Sequence, residues 1–340
     1  MNKWYMQSGR EDDIAISSRI RLARNLKNFP YSARMSAEQR AQVNALVWDA
    51  VSKGGFSGGA ELRYVDMEKL TAIEAFSMVE RHIISPEFAK NRQGKAVILS
   101  KDESISIMLG EEDHIRIQVL RSGFDLESAY DIAEKLDNLI SESVEIAFSD
   151  TLGYLTECPT NLGTGLRASV MLHLPALDGN ASIGKLANSV AKIGLTVRGV
   201  YGEGSRSKAS LFQLSNQITL GISEATAISN LKSITAQLIS QERAARHQAP
   251  PIRLDDRVHR ALGILQNARI LTSDEMFGLL SSVRLGVSMG FIEGIPPRVL
   301  TTLMFECGAY TIQLKGEMDA DERDTLRSRL IRERLSRSAE

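Results

Sequence analysis

Cysteine is scarce in this chain of 340 residues, which contains only Cys158 and Cys307. Two thiols cannot form the disulfide framework of a small secreted protein or a four-cysteine zinc site. We therefore expect a reducing, cytoplasmic environment, in which free thiols persist. Cys158 begins the segment CPTNLGTGLRASV, whose proline and glycines are not typical of a helix or of ordinary core.

Long apolar runs and an excess of charge of one sign are also missing. The apolar runs are too short to span a bilayer, and the first residues do not resemble a secretory signal, so we expect no membrane association. The 41 basic and 42 acidic residues nearly cancel, giving a net charge of −1, so we expect no general attraction to nucleic acid. The basic residues are nevertheless biased, because 28 of the 41 are arginine, which binds oxyanions through paired hydrogen bonds.

The apolar pattern predicts an α+β domain followed by an all-helical domain. Over residues 95–120, β-rich runs are separated by KDE and EED turns, which predicts an antiparallel meander. Pro250 and Pro251 then interrupt the chain before a last region with the helical period almost throughout. We predict an antiparallel sheet flanked by helices over residues 1–248 and a helical domain over residues 249–340. Further strands are predicted over residues 167–177, 195–202 and 209–217. Predicted helices cover residues 36–53, 66–82, 125–144, 182–194, 223–247, 253–270, 274–288, 296–307 and 319–338.

One glycine motif matches a phosphate-binding loop incompletely. GNASIGK, residues 179–185, reproduces the first seven positions of the P-loop, between a predicted strand and a predicted helix. The eighth position is Leu186, whereas the P-loop has a serine or threonine there whose hydroxyl holds Mg²⁺. We therefore interpret this segment as a turn followed by the start of a helix.

Two other segments pair a carboxylate with an arginine. In EEDHIRIQ, Arg116 follows Glu112 by four residues at the mouth of a predicted hairpin. In RGVYGEGSRS, Arg198 closes a strand and Glu203 lies between glycines that let a loop close over a ligand. Taken alone, each segment is compatible with a solvated turn or a flexible hairpin. The functional interpretation is a carboxylate that binds a cation beside an arginine that binds an anion.

Four segments resemble, in order and spacing, the catalytic domain of the phosphagen (guanidino) kinases. They are ISSRIRLARN, EEDHIR, CPTNLGTGLRAS and VRGVYGEGS, between residues 16 and 205. Members of this family move a phosphoryl group between ATP and a guanidinium nitrogen. Within the family, the sequence is most similar to the protein-arginine kinases of bacteria, and this similarity extends into the C-terminal helices. The resemblance implies an enzyme that uses ATP and Mg²⁺.

The resemblance also assigns roles to individual residues. Glu112 corresponds to the carboxylate that binds the guanidinium and acts as a base, and Glu203 to a second carboxylate on a mobile loop. Cys158 corresponds to the reactive cysteine beside the guanidinium. Arg24 receives no role. The arginines that bind the nucleotide phosphates correspond to Arg19, Arg21, Arg116, Arg167 and Arg198.

These residue types suit the chemistry that the resemblance implies. Phosphoryl transfer is catalysed by positioning and by stabilisation of charge on the equatorial oxygens, which arginines provide. Two carboxylates orient a planar guanidinium, and one of them removes its proton. We expect the phosphates and water to hold Mg²⁺, because the sequence offers no dedicated carboxylate cage. We also expect the glycines after Cys158 to let the backbone approach the nucleotide.

The sequence departs from the kinases of small metabolites in three places. Its SSRIR motif begins at Ser17, which leaves no room for their N-terminal helical domain and predicts an acceptor side open to a protein. Met171 stands where those kinases usually have a histidine that contacts the nucleotide, so we expect nucleotide contacts to be redistributed. The helical segment after Pro251 is one that they lack.

The last predicted helix is rich in arginine, with six between residues 323 and 337. One interpretation is an exposed helix with ion pairs four residues apart. Nucleic-acid binding is disfavoured by the lack of aromatic residues and the neutral chain. The resemblance adds a third interpretation, because RDTLR looks like the motif with which protein-arginine kinases recognise phosphoarginine. Arg323, Asp324 and Arg327 are then expected to form an allosteric phosphoarginine site.

We therefore expect a kinase that transfers the γ-phosphoryl group of ATP to exposed arginine side chains of proteins. The alternatives are a guanidino kinase of small metabolites and a non-catalytic adaptor that binds phosphoarginine. The resemblance implies a role in the stress response and in marking proteins for degradation. It also implies a zinc-containing activator protein, a heat-shock repressor and components of the Clp protease as partners. An apolar face on residues 274–307 predicts a homodimer or larger homo-oligomer.

Overall fold

The computed structural model describes residues 2–56, 60–200, 207, 209–248 and 250–336. Eight of its strands form one antiparallel sheet, in the order β2-β3-β4-β5-β1-β8-β10-β9, and β6 pairs with β7 beside it. The predicted meander is confirmed as β3, β4 and β5. The strands are β1 (Ala15–Arg24), β2 (Leu62–Asp66), β3 (Ala96–Ser100), β4 (Ile105–Leu109), β5 (Ile115–Ser122), β6 (Phe148–Ser149), β7 (Gly153–Tyr154), β8 (Leu166–His173), β9 (Leu195–Gly199) and β10 (Leu211–Asn216).

Helices lie around the sheet and make up most of the described residues after Pro250. None of the helices in the described part of the chain has the length and apolar content that crossing a membrane requires. The helices are α1 (Ala37–Lys53), α2 (Ala72–Glu80), α3 (Pro86–Lys90), α4 (Leu126–Ser141), α5 (Pro175–Gly179), α6 (Ile183–Ala191), α7 (Glu224–Arg246), α8 (Pro251–Asn267), α9 (Ser273–Ser288), α10 (Pro297–Glu306), α11 (Ala309–Gln313) and α12 (Ala320–Ser336).

The two faces of the sheet differ in polarity. On one face, apolar side chains of β1, β5 and β8 pack against α4 and α7 and form the main core. Ile20, Leu22 and Ile117 belong to this face, as the two-residue period of a strand requires. The opposite face carries charged side chains on its central strands. Helices α2 and α3 cover that face at β3 and β4.

A second apolar core joins the C-terminal helices to the same charged face. It contains the buried side chains of α9 and α10, together with Trp4 and Tyr5 from the N-terminus. Leu120 and Met171 project from the sheet into this core. Met171, which stands where metabolite kinases have a histidine, is thus an anchor for the C-terminal helices. A histidine at this position would place a polar ring in an apolar core.

Three expectations about secondary structure and surfaces are corrected. The helix predicted over residues 66–82 is wrong at its start, because β2 ends at Asp66 and Thr71 caps an α2 that begins at Ala72. The strand predicted to reach residue 177 ends at His173, because α5 begins at Pro175. The apolar side chains expected to form a surface on residues 274–307 are packed inside the second core, so they do not support the predicted self-association.

Three histidines, two of them fully buried and one partly exposed, make the fold sensitive to acid. Burial lowers the pKa of His173 well below its ordinary value, and Arg284 and Arg246 lower it further. Burial also lowers the pKa of His114, and it lowers that of His82 to about 3 with help from Arg19. These rings stay neutral in the folded protein, whereas the unfolded chain binds protons below pH about 6.5.

We therefore expect the free energy of unfolding to fall as the pH drops below about 6.5. Each histidine contributes about 1.4 kcal/mol per pH unit until its folded pKa is reached. Urea unfolding at pH 7.5, 6.0 and 5.0 measures the slope. His173→Gln should reduce the slope by about one proton, whereas His247→Gln, at an exposed position after α7, should not change it. An identical slope in His173→Gln and the wild type would contradict this account.

Candidate active site

The charged face of the sheet gathers the five predicted arginines. Alternation along β1 puts Arg19 and Arg21 on the same face. Arg167 of β8 lies opposite Arg21, and Arg116 of β5 lies opposite Ala23. Arg198 of β9 lies opposite Gln213 of β10, whose side chain accepts a hydrogen bond of 2.7 Å from Arg19. Strand pairing therefore converts positions far apart in sequence into one cationic surface.

Two adjoining cavities open on this surface, and Arg21 and Arg116 line both of them. The small cavity has a volume of about 190 Å³ and the large cavity about 430 Å³. The small cavity is mostly polar, and the large cavity combines arginines with an apolar wall. The small cavity is also lined by Ala23, Glu112, Thr160, Asn161, Gly165 and Arg167. The large cavity is also lined by Arg19, Val79, His82, Ile84, Ser85, Pro86, Met108, Gln118, Arg198, Gly199, Val200 and Gln213.

The arginines repel each other, and one of them has a buried donor without a partner among the described residues. Burial, together with repulsion from Arg116 and Arg167, lowers the pKa of Arg19 to about 10. Burial lowers the pKa of Arg21 well below its ordinary value, again with repulsion from its neighbours. The Nε atom of Arg21 is buried and has no hydrogen-bond partner among the described residues. A buried donor in an excess of positive charge is what a polyphosphate anion would satisfy.

Glu112 lies at the rim of the small cavity, in the turn before β5. Its side chain is 40% exposed and one carboxylate oxygen lies 3.3 Å from Nη2 of Arg116. Glu111, which the sequence interpretation did not single out, accepts a hydrogen bond of 2.6 Å from Nη1 of the same arginine. Ser85 donates a second one of 2.7 Å to Glu111. Glu111 therefore fixes Arg116, while Glu112 remains accessible to a ligand.

The turn that carries Glu112 is tied to the loop that carries Cys158. Asp113 is fully buried. Its Oδ1 atom accepts a hydrogen bond of 2.7 Å from the Asn25 amide and one of 2.8 Å from the backbone N–H of Glu157. Burial raises the pKa of Asp113, and these two hydrogen bonds counteract the shift. One buried carboxylate thus sets the distance between two predicted site residues.

Cys158 is partly exposed at the start of a short 3₁₀ turn, with its Sγ atom 3.1 Å from Oγ1 of Thr160. For Gly163, the structure gives a reason for a glycine that does not involve a nucleotide. Its φ is +107°, and a Cβ atom there would lie 2.3 Å from the carbonyl oxygen of Thr219. Gly165 has a φ of +62° and packs against the carbonyl oxygen of Ala23. These glycines bring the loop close to protein backbone, and Gly165 also lines the small cavity.

Arg24, which received no role from the sequence, is the buried anchor of this loop. It donates hydrogen bonds of 3.0 Å and 2.7 Å to the two carboxylate oxygens of Asp137 on α4. It also donates a hydrogen bond of 3.0 Å to the carbonyl oxygen of Thr164. Its guanidinium lies 3.4 Å from the centre of the Tyr154 ring. The buried ion pair of Arg24 with Asp137 is therefore one of the contacts that hold the loop to the scaffold.

We expect Asp137→Ala to lower the free energy of unfolding by about 3 kcal/mol, because it leaves Arg24 buried without its main counter-ion. Asp131→Ala is the matched control on the same helix, since the Asp131 side chain is 59% exposed. That substitution should change stability by about 0.5 kcal/mol or less. Chemical denaturation of both variants checks this, and equal losses in the two would contradict the assigned role of the buried pair.

His82 is a candidate site residue that the sequence interpretation missed. It lies just after α2 with a φ of +61°, in the left-handed region, and its ring lines the large cavity. The helix predicted over residues 66–82 ended at this histidine, and the sequence pattern assigned it no role. In the structure, His82 lies close enough to Arg19 for the arginine charge to lower the pKa of its ring. Among polar residues histidine tolerates this conformation comparatively well.

The remaining predicted residues stay predictions. Glu203 lies outside the described residues. Arg327 is 1% exposed and forms an ion pair with Asp324. It also donates a hydrogen bond of 2.9 Å to the carbonyl oxygen of Cys307 and one of 2.7 Å to that of Leu271. Arg323 is partly exposed at the start of α12 and donates to the backbone of the preceding turn. Within the described ranges, no group of three or more histidine, cysteine, aspartate or glutamate side chains is placed to hold a metal ion.

Two family models together match most of the chain. Residues 42–245 match the C-terminal catalytic domain of the ATP:guanido phosphotransferases. The chain belongs to the ATP:guanido phosphotransferase family. Residues 251–340 match the C-terminal domain of the protein-arginine kinase McsB. This member of the ATP:guanido phosphotransferase family therefore carries both a guanidino-kinase catalytic domain and the helical domain of the protein-arginine kinases.

Relatives and solved structures agree with this assignment. The chain is 47% identical to the protein-arginine kinase of Halothermothrix orenii, over 99% of this chain and 97% of that protein. It is 45% identical to the protein-arginine kinase of Bacillus cereus, over 99% of this chain and 96% of that protein. Lombricine kinase superposes with a TM-score of 0.62 at 25% identity, over 70% of this chain and 69% of that one. The predicted α+β phosphagen-kinase fold and the assignment to the phosphotransferases are confirmed.

Proposed function

We propose that this ATP:guanido phosphotransferase is a protein-arginine kinase that transfers the γ-phosphoryl group of ATP to arginine side chains of proteins. The main support is the similarity of the whole chain to proteins of that name. The five arginines on one sheet face provide the anion site that such a reaction needs. Glu112 at the rim of the small cavity provides a carboxylate for the incoming guanidinium.

The two cavities suggest how the substrates lie. The triphosphate would run across the arginines that the cavities share, with the purine against the apolar wall of the large cavity. The acceptor guanidinium would enter the small cavity and be oriented by Glu112. A guanidinium nitrogen then bonds to the γ-phosphorus as the bond to the β,γ-bridging oxygen breaks, and ADP leaves. The proton lost from nitrogen goes to Glu112, while arginine charges stabilise the equatorial oxygens.

Magnesium fits this arrangement only through the nucleotide. The orphaned Nε of Arg21 and the surplus of arginines fit phosphate oxygens, whereas the described residues offer no set of carboxylates for a metal. When bound with ATP, Mg²⁺ would neutralise phosphate charge. The protein residues would bind and orient the phosphate oxygens that the metal leaves available.

The test is phosphorylation of an unfolded, arginine-rich protein by the purified chain with ATP and Mg²⁺, followed by ³¹P NMR. We expect acid-labile phosphorus bonded to nitrogen, together with one ADP per phosphate transferred. Free arginine is assayed in parallel. Comparable turnover of free arginine would instead indicate a metabolite kinase, and a failure to release ADP would indicate a non-catalytic adaptor. Phosphate on serine would contradict the proposal outright.

The wider cellular role is also a proposal. We infer a cytoplasmic enzyme of the stress response whose phosphoarginine marks proteins for degradation. A zinc-containing activator, a heat-shock repressor and Clp protease components are the proposed partners, and Arg323, Asp324 and Arg327 the proposed phosphoarginine site. A homo-oligomer would need a surface other than residues 274–307. Size-exclusion chromatography with light scattering, with and without a phosphoarginine peptide, tests the phosphoarginine site and the homo-oligomer.

A further inference from the structure

The ring of His82 is held from the side of the C-terminal domain. The ring of Phe305, on α10, meets it edge to face with centroids 5.1 Å apart. Phe305 is itself fixed, because its centroid lies 5.2 Å from that of Trp4 and 5.1 Å from that of Tyr5. It is 2% exposed. Aromatic pairs of this geometry are directional, so Phe305 selects the orientation of the His82 ring.

The backbone of His82 is held from the side of the sheet. The Gln118 amide, on the charged face, donates hydrogen bonds of 2.9 Å to the carbonyl oxygens of His82 and Ile83. The Ser106 hydroxyl donates a hydrogen bond of 2.7 Å to the same Ile83 oxygen. These bonds hold the left-handed backbone of a residue that lines the large cavity. The backbone fixes the position of His82, whereas Phe305 fixes its ring.

A second contact joins the C-terminal domain to the helix that leads into His82. The Glu80 carboxylate, at the end of α2, accepts a hydrogen bond of 3.0 Å from the backbone N–H of Tyr310 and one of 2.8 Å from that of Thr311. It therefore caps the first turn of α11 from another domain. The rings of Phe76 and Tyr310 stack with centroids 5.0 Å apart. Movement of α11 would thus move α2 and the wall of the large cavity.

We propose that the C-terminal helical domain sets the nucleotide affinity of the site, with Phe305 and Glu80 acting as positioning residues for His82 and the large-cavity wall. The inference rests on the proposed function, in which the nucleoside occupies the large cavity. It also accounts for Met171, which joins the C-terminal core to the sheet where metabolite kinases contact the nucleotide directly. Nucleotide contact would pass from that strand position to a ring that the C-terminal domain orients.

The test compares ATP binding by isothermal titration calorimetry in wild type, Phe305→Leu and Phe291→Leu. Phe291 makes the matched control, because it packs against the same core and lines neither cavity. We expect Phe305→Leu to raise the Kd about fivefold, from the loss of one aromatic pair. The KM for ATP should rise equally, while kcat and the KM for the protein substrate change less than twofold. Phe305→Tyr should restore the wild-type Kd, and Phe291→Leu should keep it.

A double-mutant cycle separates positioning from general loosening. His82→Asn tolerates the left-handed backbone but removes the ring. If Phe305 acts through that ring, adding Phe305→Leu to His82→Asn leaves the Kd unchanged, whereas independent effects multiply. Multiplication, or an unchanged Kd in Phe305→Leu alone, would overturn the inference. Glu80→Gln, at the domain junction, provides a second readout, with an expected two- to fivefold rise in Kd from a weakened cap.

Failure of this inference differs from failure of the proposed function. If wild type binds ATP and forms no phosphoarginine, the proposed reaction is wrong while the Kd comparison still decides the role of Phe305. If wild type does not bind ATP, both proposals are overturned. If Phe305→Leu unfolds, Phe305→Tyr and Glu80→Gln decide, since normal affinity in Glu80→Gln contradicts coupling through α2.

Discussion

Replacing Glu112 by glutamine should lower the rate of arginine phosphorylation about 10³-fold, the loss expected for removal of a general base. The amide keeps the shape of the side chain and a hydrogen bond to Arg116, which the carboxylate contacts at 3.3 Å. It cannot accept the guanidinium proton or balance its charge. The affinity for ATP should survive, because Arg116 keeps its stronger contact to Glu111 at 2.6 Å. Rates of ADP release and ³¹P NMR measure the first effect, and calorimetry the second.

Glu142→Gln is the control for this substitution, since Glu142 is an exposed residue at the end of α4. It should leave both rate and affinity unchanged. A Glu112→Gln variant that keeps more than a tenth of wild-type turnover would show that another carboxylate serves as the base. Glu203 is then the first alternative to substitute. A loss of ATP affinity equal to the loss of rate would instead assign Glu112 to nucleotide binding.

The alternating pattern of the sequence accounts for one part of the predicted site. In SSRIRLAR, the two-residue period already puts Arg19 and Arg21 on the same side of a strand. The meander over residues 95–120 was equally clear from its turns. Local patterns cannot specify which strands become neighbours, so the grouping of Arg21 with Arg167 at one phosphate site came only from the resemblance to a known family. The pairing of β1 with β8 supplies its physical basis.

Contacts between distant segments explain what the sequence did not reveal. His82 has no local signal, because its role depends on a left-handed turn stabilised by Gln118, 36 residues away. Gly163 was interpreted as room for a nucleotide, but the atom that requires a glycine is a backbone oxygen of Thr219. Met171 could not be interpreted before the C-terminal core was known to reach β8. In each case the deciding partner lies in another element.

Replacing Arg21 by lysine should lower kcat/KM about 10²-fold, although the charge is retained. Arg21 lies at the centre of the cationic surface, lines both cavities and has an unsatisfied Nε donor. A guanidinium binds two phosphate oxygens in a fixed fork, whereas an ammonium binds as a point charge. Arg21→Gln also removes the charge and should lose about 10³-fold, the range found for groups that stabilise developing charge. Steady-state kinetics with ATP measures both.

Salt and temperature separate the geometric from the electrostatic contribution of Arg21. Arg21→Lys should keep the wild-type dependence of ATP affinity on salt, and Arg21→Gln should weaken it, because screening acts on charge. Arg63→Lys, at an exposed position in β2, is the control and should match wild type. Burial and the neighbouring arginines lower the pKa of Arg21, so its charge destabilises the ligand-free fold. Arg21→Gln should therefore raise Tm while it removes activity. A lower Tm would mean that Arg21 supports the fold in the absence of phosphate.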